Sequence, residues 1–360
     1  MSRSALRTPP PPPPTPAIAS RTGSGHTSVR RDALRAVLGF GAFALLACAV
    51  APLVGTTSIS WSRALDTSIP FADNVDAQIL FVARLPRVLA GALVGATLAS
   101  AGVVFQALLR NPLATPFTLG VSAGASLGAM LVIIFGANIA MGPWSSVPLA
   151  SLLGASGAAA LVYWMATVPG RPLSTTVLLL AGVTLNAFFS ALILFVQHLA
   201  DFTQVYRAAR WLMGDLDIGG FDPLIAVLPL VVAAFGLFGA LPSSLNLLSL
   251  GTDAAAARGL DVARAYRLAF LSASLATSAA VALAGPIGFV GIVVPHLVRL
   301  IVGVDHRVVL PASALFGAAF LVTCDMVART AMAPVEIPVG VITAMVGGPF
   351  FLWLLVRDNS

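Results

Sequence analysis

The sequence predicts an all-α integral membrane protein of about ten transmembrane helices. Three observations carry that reading. Hydrophobic residues make up 58% of the 360 and charged residues only 9%, where an average soluble domain carries about 25% charged residues. Apolar stretches of the ~20 residues that cross a bilayer follow one another from Ala33 to Val356. The alternating pattern of barrel strands is absent, and a helix satisfies its own backbone in lipid.

Residues 1–32 are polar, with a proline run from Pro9 to Pro14, and lack the apolar core of a secretory signal. They read as a disordered, polyproline-II-like cytoplasmic tail. Residues 33–357 read as one polytopic domain with spans at 33–54, 87–109, 114–136, 146–168, 174–198, 221–241, 265–284, 286–302, 308–328 and 336–356. All 20 basic side chains are arginine; fourteen fall on the side of the N-terminus and six opposite. The positive-inside rule then places both termini in the cytoplasm.

Composition also excludes chemistry. Although the formal charge is +6, the arginines are scattered singly and form no patch with interleaved aromatics, which argues against nucleic acid. Without lysine there is no GxxxxGK[ST] phosphate loop, so any ATP and its magnesium are bound by another chain. His26, His198, His296 and His306 lack metal-ligand spacing, and no nucleophile sits beside a base. No cofactor and no metal are expected in this chain. Cys48 and Cys324 lie in apolar segments, as small hydrophobes do.

A few positions stand out against this apolar background. Arg84 and Arg87 flank Pro86 at the entrance to the second span, and Arg329 ends the ninth on the same face. Arginines at helix ends snorkel to the interface, or they meet the carboxylates of an acidic partner. Asp325 and Glu336, the chain's only glutamate, are ionisable groups near membrane depth. A proton relay would need more such groups in mid-span, which weakens an ion-coupled transporter as a rival; a membrane scaffold is the other. Two prolines and three glycines between Gly285 and Pro295 (Gly285, Pro286, Gly288, Gly291) predict a broken helix of the kind that borders transport pathways. The interruption from Pro242 to Arg264 reads either as a connecting loop or as a short helix docking a cytoplasmic motor, with Thr252-Asp253 its start and Gly259 its stop.

Six ordered blocks then resemble the permease family of ABC importers for iron-siderophores, haem and cobalamin. They are residues 84–129, 180–188 (LAGVTLNAF), 210–216 (RWLMGDL), 245–262 (LNLLSLGTDAAAARGLDV), 285–318 and 328–355. The resemblance implies a type II importer fold in the cytoplasmic membrane of a bacterium and a dimer with a second permease subunit, identical or related. It also implies two cytoplasmic ATP-binding subunits and an extracytoplasmic substrate-binding protein. Arg84, Arg87 and Arg329 match the arginines that receive glutamates of that binding protein. Leu245, Asn246, Leu250, Gly251, Asp253, Ala256 and Gly259 match the helices that couple to the ATPase. An iron-siderophore is the expected cargo, with haem or cobalamin as the alternative. The proline-rich tail lies outside the resemblance.

Overall fold

A computed structural model describes residues 25–136, 142, 144–167 and 174–358. The proline run and Arg171 therefore lie outside the described residues, which form helices and turns with no strand. Among the described residues ten apolar helices build the bundle: α1 (Gly25–Val50), α2 (Leu85–Leu109), α3 (Val121–Phe135), α4 (Ser146–Ala166), α5 (Thr175–His198), then, after the amphipathic α6 (Phe202–Leu212), α7 (Asp222–Ala240). The short α8 (Pro242–Leu248) and α9 (Thr252–Ala257) lead to α10 (Val262–Ala284), α11 (Val290–Val302), α12 (His306–Thr330) and α13 (Val339–Asp358). Seven of the ten are long enough to cross a membrane, and α3, α11 and α13 are shorter apolar helices.

The bundle has a graded interior. In their most apolar stretches, α2 and α10 are 78% buried and α12 is 61% buried, whereas α5 and α7 are 28% and α1 only 17% buried. Lipid offers helices no hydrophobic reason to associate, so close backbone approach has to supply the attraction. A Cβ placed on Gly95 would stand 2.2 Å from the Gly317 carbonyl oxygen, and one on Gly102 would stand 2.1 Å from that of Gly291. These contacts press α2 against α12 and α11.

Several expected boundaries move. The helix begins at Gly25, inside the stretch read as a tail to 32, because the arginines there continue the helical backbone beyond the apolar window. Residues 114–120, read as the start of the third span, are mostly turns. Arg110, just past the end of α2, adopts φ +47, and α3 starts only at Val121. The last helix starts at Val339 rather than 336, since Pro338 precedes it. Before α2, the six residues Ile79–Arg84 form a π-turn. Pro86 has no N–H to donate, and its ring would crowd the carbonyl of an ordinary preceding turn.

Candidate functional site

The three arginines singled out from sequence meet at one end of the bundle. α2 brings Arg84 and Arg87, α12 brings Arg329, and all three are buried, at 6, 7 and 3% exposure. Between them sits Asp325, 2% exposed. Arg87 Nε donates to Asp325 Oδ1 at 3.0 Å, and its Nη1 donates to Glu336 Oε2 at 2.6 Å. Arg329 Nε lies 3.0 Å from Asp325 Oδ2 as an ion pair, although its N–H is not aimed for a hydrogen bond. The remaining donors go to backbone carbonyls of the segment that follows α1, residues 51–57. Arg84 Nη1 reaches Pro52 O at 2.8 Å and its Nη2 reaches Thr57 O. Arg329 Nη1 and Nη2 reach Val54 O and Ala51 O at 3.2 and 3.3 Å. Among the described residues, two of these three cations, Arg87 and Arg329, thus form ion pairs with two carboxylates, Asp325 and Glu336. All three arginines line a recess of about 190 Å³ that opens at this end, together with the carboxylates of Glu336 and Asp217.

The segment from 242 to 259 lies at the opposite end of α2. It is two helices, not one: Pro242 occupies the first turn of α8, and α9 starts at Thr252 as expected. Gly259, at φ +82, follows the end of α9. Leu245 and Leu248 are buried against the core, so Leu245 anchors the segment rather than facing outward. Leu250, Asp253, Ala256 and Gly259 are exposed and recur every three residues along one outer face, while Gly251 is half-buried. Asn246 ties the segment to the turn before α12: its Nδ2 donates to Asp305 Oδ1 at 2.7 Å, and its Oδ1 accepts from the His306 amide at 3.0 Å. Burial works against the Asp305 carboxylate, but the Arg307 amide and Asn246 outweigh it and hold its pKa below the usual value.

The expected broken helix is present. α10 stops at Gly285, whose φ of +67 suits glycine, and residues 285–289 run without helical structure until α11 begins at Val290. The Asp215 amide donates to Ala284 O at 2.9 Å, which fastens the break to the turn after α6. Pro286 and Gly288 are half-buried in the break, and Gly291 is buried against Gly102 one turn later. Among the described residues no group of three His, Cys, Asp or Glu could hold a metal ion.

A profile described as the FecCD transport family matches residues 43–357. The chain belongs to the FecCD transport family. It is 43% identical over 304 residues to the cobalamin import system permease protein BtuC of Halobacterium salinarum, covering 84% of this chain and 79% of that protein. It is 38% identical over 338 residues to the hemin transport system permease protein HmuU of Yersinia pestis, covering 91% and 97%. In structure it matches a chain described as a metal-chelate type ABC transporter in an inward-facing conformation. That match has a TM-score of 0.76 and 31% identity, covering 90% of this chain and 99% of that one. This FecCD-family chain is a multi-pass permease subunit, a transport component and not an enzyme.

Two features of the FecCD-family chain escaped the sequence reading. One is α6, opened by a capping box in which Asp201 accepts from the Gln204 amide and Gln204 accepts from the Asp201 amide. The Asp-x-x-Gln pattern was its signal. The other is the pairing of Arg87 with Asp325 and Glu336. Ionisable groups at one depth were visible in the sequence, but nothing local to either helix announces the contact.

Proposed function

We propose that the chain is the permease of an ATP-driven importer that moves an iron-siderophore across the cytoplasmic membrane, with both termini in the cytoplasm. The observation that carries the reading is the placement of the arginine recess and the 242–259 segment at opposite ends of one helix, in a permease-family chain. A binding protein loaded with the chelate docks its carboxylates at Arg84, Arg87 and Arg329. Two separate ATP-binding chains engage Leu250, Gly251, Asp253 and Ala256, and a second permease subunit closes the lumen. Haem or cobalamin is the alternative cargo, supported by the names of the relatives, both of which handle metal chelates.

The charge count refines the docking reading. Arg87 is already bonded to Asp325 and Glu336, whereas Arg84 has only backbone carbonyl partners and a side in the recess. Arg84 is therefore the cation with the most to gain from an incoming carboxylate. Arg84→Glu should weaken binding-protein docking by at least about tenfold; an unchanged affinity, read by surface plasmon resonance on the reconstituted permease, would sink the contact. Vesicles carrying permease, ATPase and binding protein should take up radioiron chelate only with ATP inside. Uptake driven by a proton gradient without the ATPase would instead favour a secondary transporter.

A further inference from the structure

At the 242–259 end of α2 the protein has a recess of about 430 Å³ that the proposed function does not use, walled by Gln106, Arg110, Ser249, Arg299, Val304 and His306. Arg299 is half-buried, and its Nη1 donates to the neutral Gln106 Oε1 at 2.5 Å. The Gln106 amide nitrogen donates in turn to Gly291 O at 3.1 Å, which fixes the oxygen toward the guanidinium. Among the described residues no carboxylate lies within ion-pair distance of Arg299 or Arg110. Asp305, at the nearby turn, is engaged with Asn246 and the Arg307 amide. The His306 ring shares a hydrogen with Asn246. Two arginines thus face one cavity without a counter-charge, and a half-buried guanidinium in that position is stabilised by an anion.

The surroundings identify the anion. α2 ends at Leu109 and α11 at Val302, so the recess sits where two apolar helices leave the membrane. Val304, in its wall, is 75% exposed, and Leu300 and Ile301, which follow Arg299 on the last turn of α11, are 70 and 63% exposed. A cationic pocket over an exposed apolar strip fits an amphiphile better than a free ion, because only an amphiphile covers both. We propose that this recess binds the phosphate of an anionic phospholipid, with an acyl chain lying along the end of α11.

The test uses the full chain in nanodiscs of phosphatidylcholine with or without phosphatidylglycerol, the retained lipid being counted by native mass spectrometry. Wild type should retain phosphatidylglycerol in preference to phosphatidylcholine. Each of Arg110→Gln and Arg299→Gln should lower that retention about fivefold, and the pair roughly thirtyfold. Arg299→Lys, which keeps the charge, should restore most of it. Arg110 is exposed, so Arg110→Gln alone gives a reading even if the double variant fails to fold. Equal retention in wild type and variants overturns the proposal. So does inorganic phosphate in pure phosphatidylcholine discs raising the thermal midpoint as much as phosphatidylglycerol does, which would mark a free-phosphate site. A third overturning result is loss of ATPase assembly in the variants with lipid retention intact, which would assign the recess to an acidic side chain of the motor.

Discussion

Asp325 lies 3.0 Å from guanidinium nitrogens of both Arg87 and Arg329 and is 2% exposed. Breaking a buried ion pair from one side costs about 3 to 5 kcal/mol, because the partner stays charged without compensation. Among the described residues, Asp325→Ala leaves Arg329 without a carboxylate and Arg87 with Glu336 alone. It should lower the thermal midpoint in detergent far more than Glu336→Ala, since the Glu336 side chain is 32% exposed and water can replace it. Equal midpoints would show that Asp325 is not the centre of the cluster. Sequence reading found these residues but not their relation. The arginines were conspicuous as isolated charges in apolar text, and the acids as the few ionisable groups near span ends. Arg87 and Asp325 are 238 positions apart, however, and only the packing of α2 on α12 makes them neighbours.

For elements, length and apolarity were readable because each span must satisfy its own backbone in lipid, a constraint written in consecutive residues. The short helices were harder to read. α8 looks like loop sequence, and its leucines at 245 and 248 gain meaning only from the core they enter. The inner and outer faces of this segment should respond differently. Leu245→Asp places a charge in the interior and should abolish folding, seen as loss of a monodisperse detergent peak. Ala256→Asp lies on the exposed face and should leave that peak intact while lowering ATP-dependent uptake by at least about tenfold, a loss of roughly 1.4 kcal/mol of coupling. Normal uptake in that variant would remove the segment from the ATPase contact. Helix packing gives a second contrast. Gly102→Ala drives a methyl into the Gly291 carbonyl and should lower the thermal midpoint, whereas Gly157→Ala meets open space and should not.

At the scale of the molecule, α2 and α12 form one antiparallel pair whose ends are the two candidate sites. α2 starts beside Arg84 and Arg87 and ends at Gln106 and Leu109, while α12 starts at the Asn246 clamp and ends at Arg329. Each is 25 residues long, so the pair spans about 37 Å. The Gly95 and Gly317 contact locks it midway, with no side chain between the backbones to absorb a relative shift. A rigid pair of this kind transmits a displacement imposed at one end to the other, provided the assembly has two packings that docking and nucleotide bias in opposite directions. The consequence is measurable as non-additivity. Arg84→Ala and Asn246→Ala lie too far apart to touch, and distant independent sites add to within about 0.5 kcal/mol. Binding-protein-stimulated ATP hydrolysis in the reconstituted complex should instead show a coupling of about 1 kcal/mol or more between them. Introducing Gly95→Ala, which pries the pair apart, should reduce that coupling toward zero while basal hydrolysis persists. If the two end variants are additive in the unmodified pair, the docking end and the motor end communicate by another route, and α2 and α12 are scaffold alone.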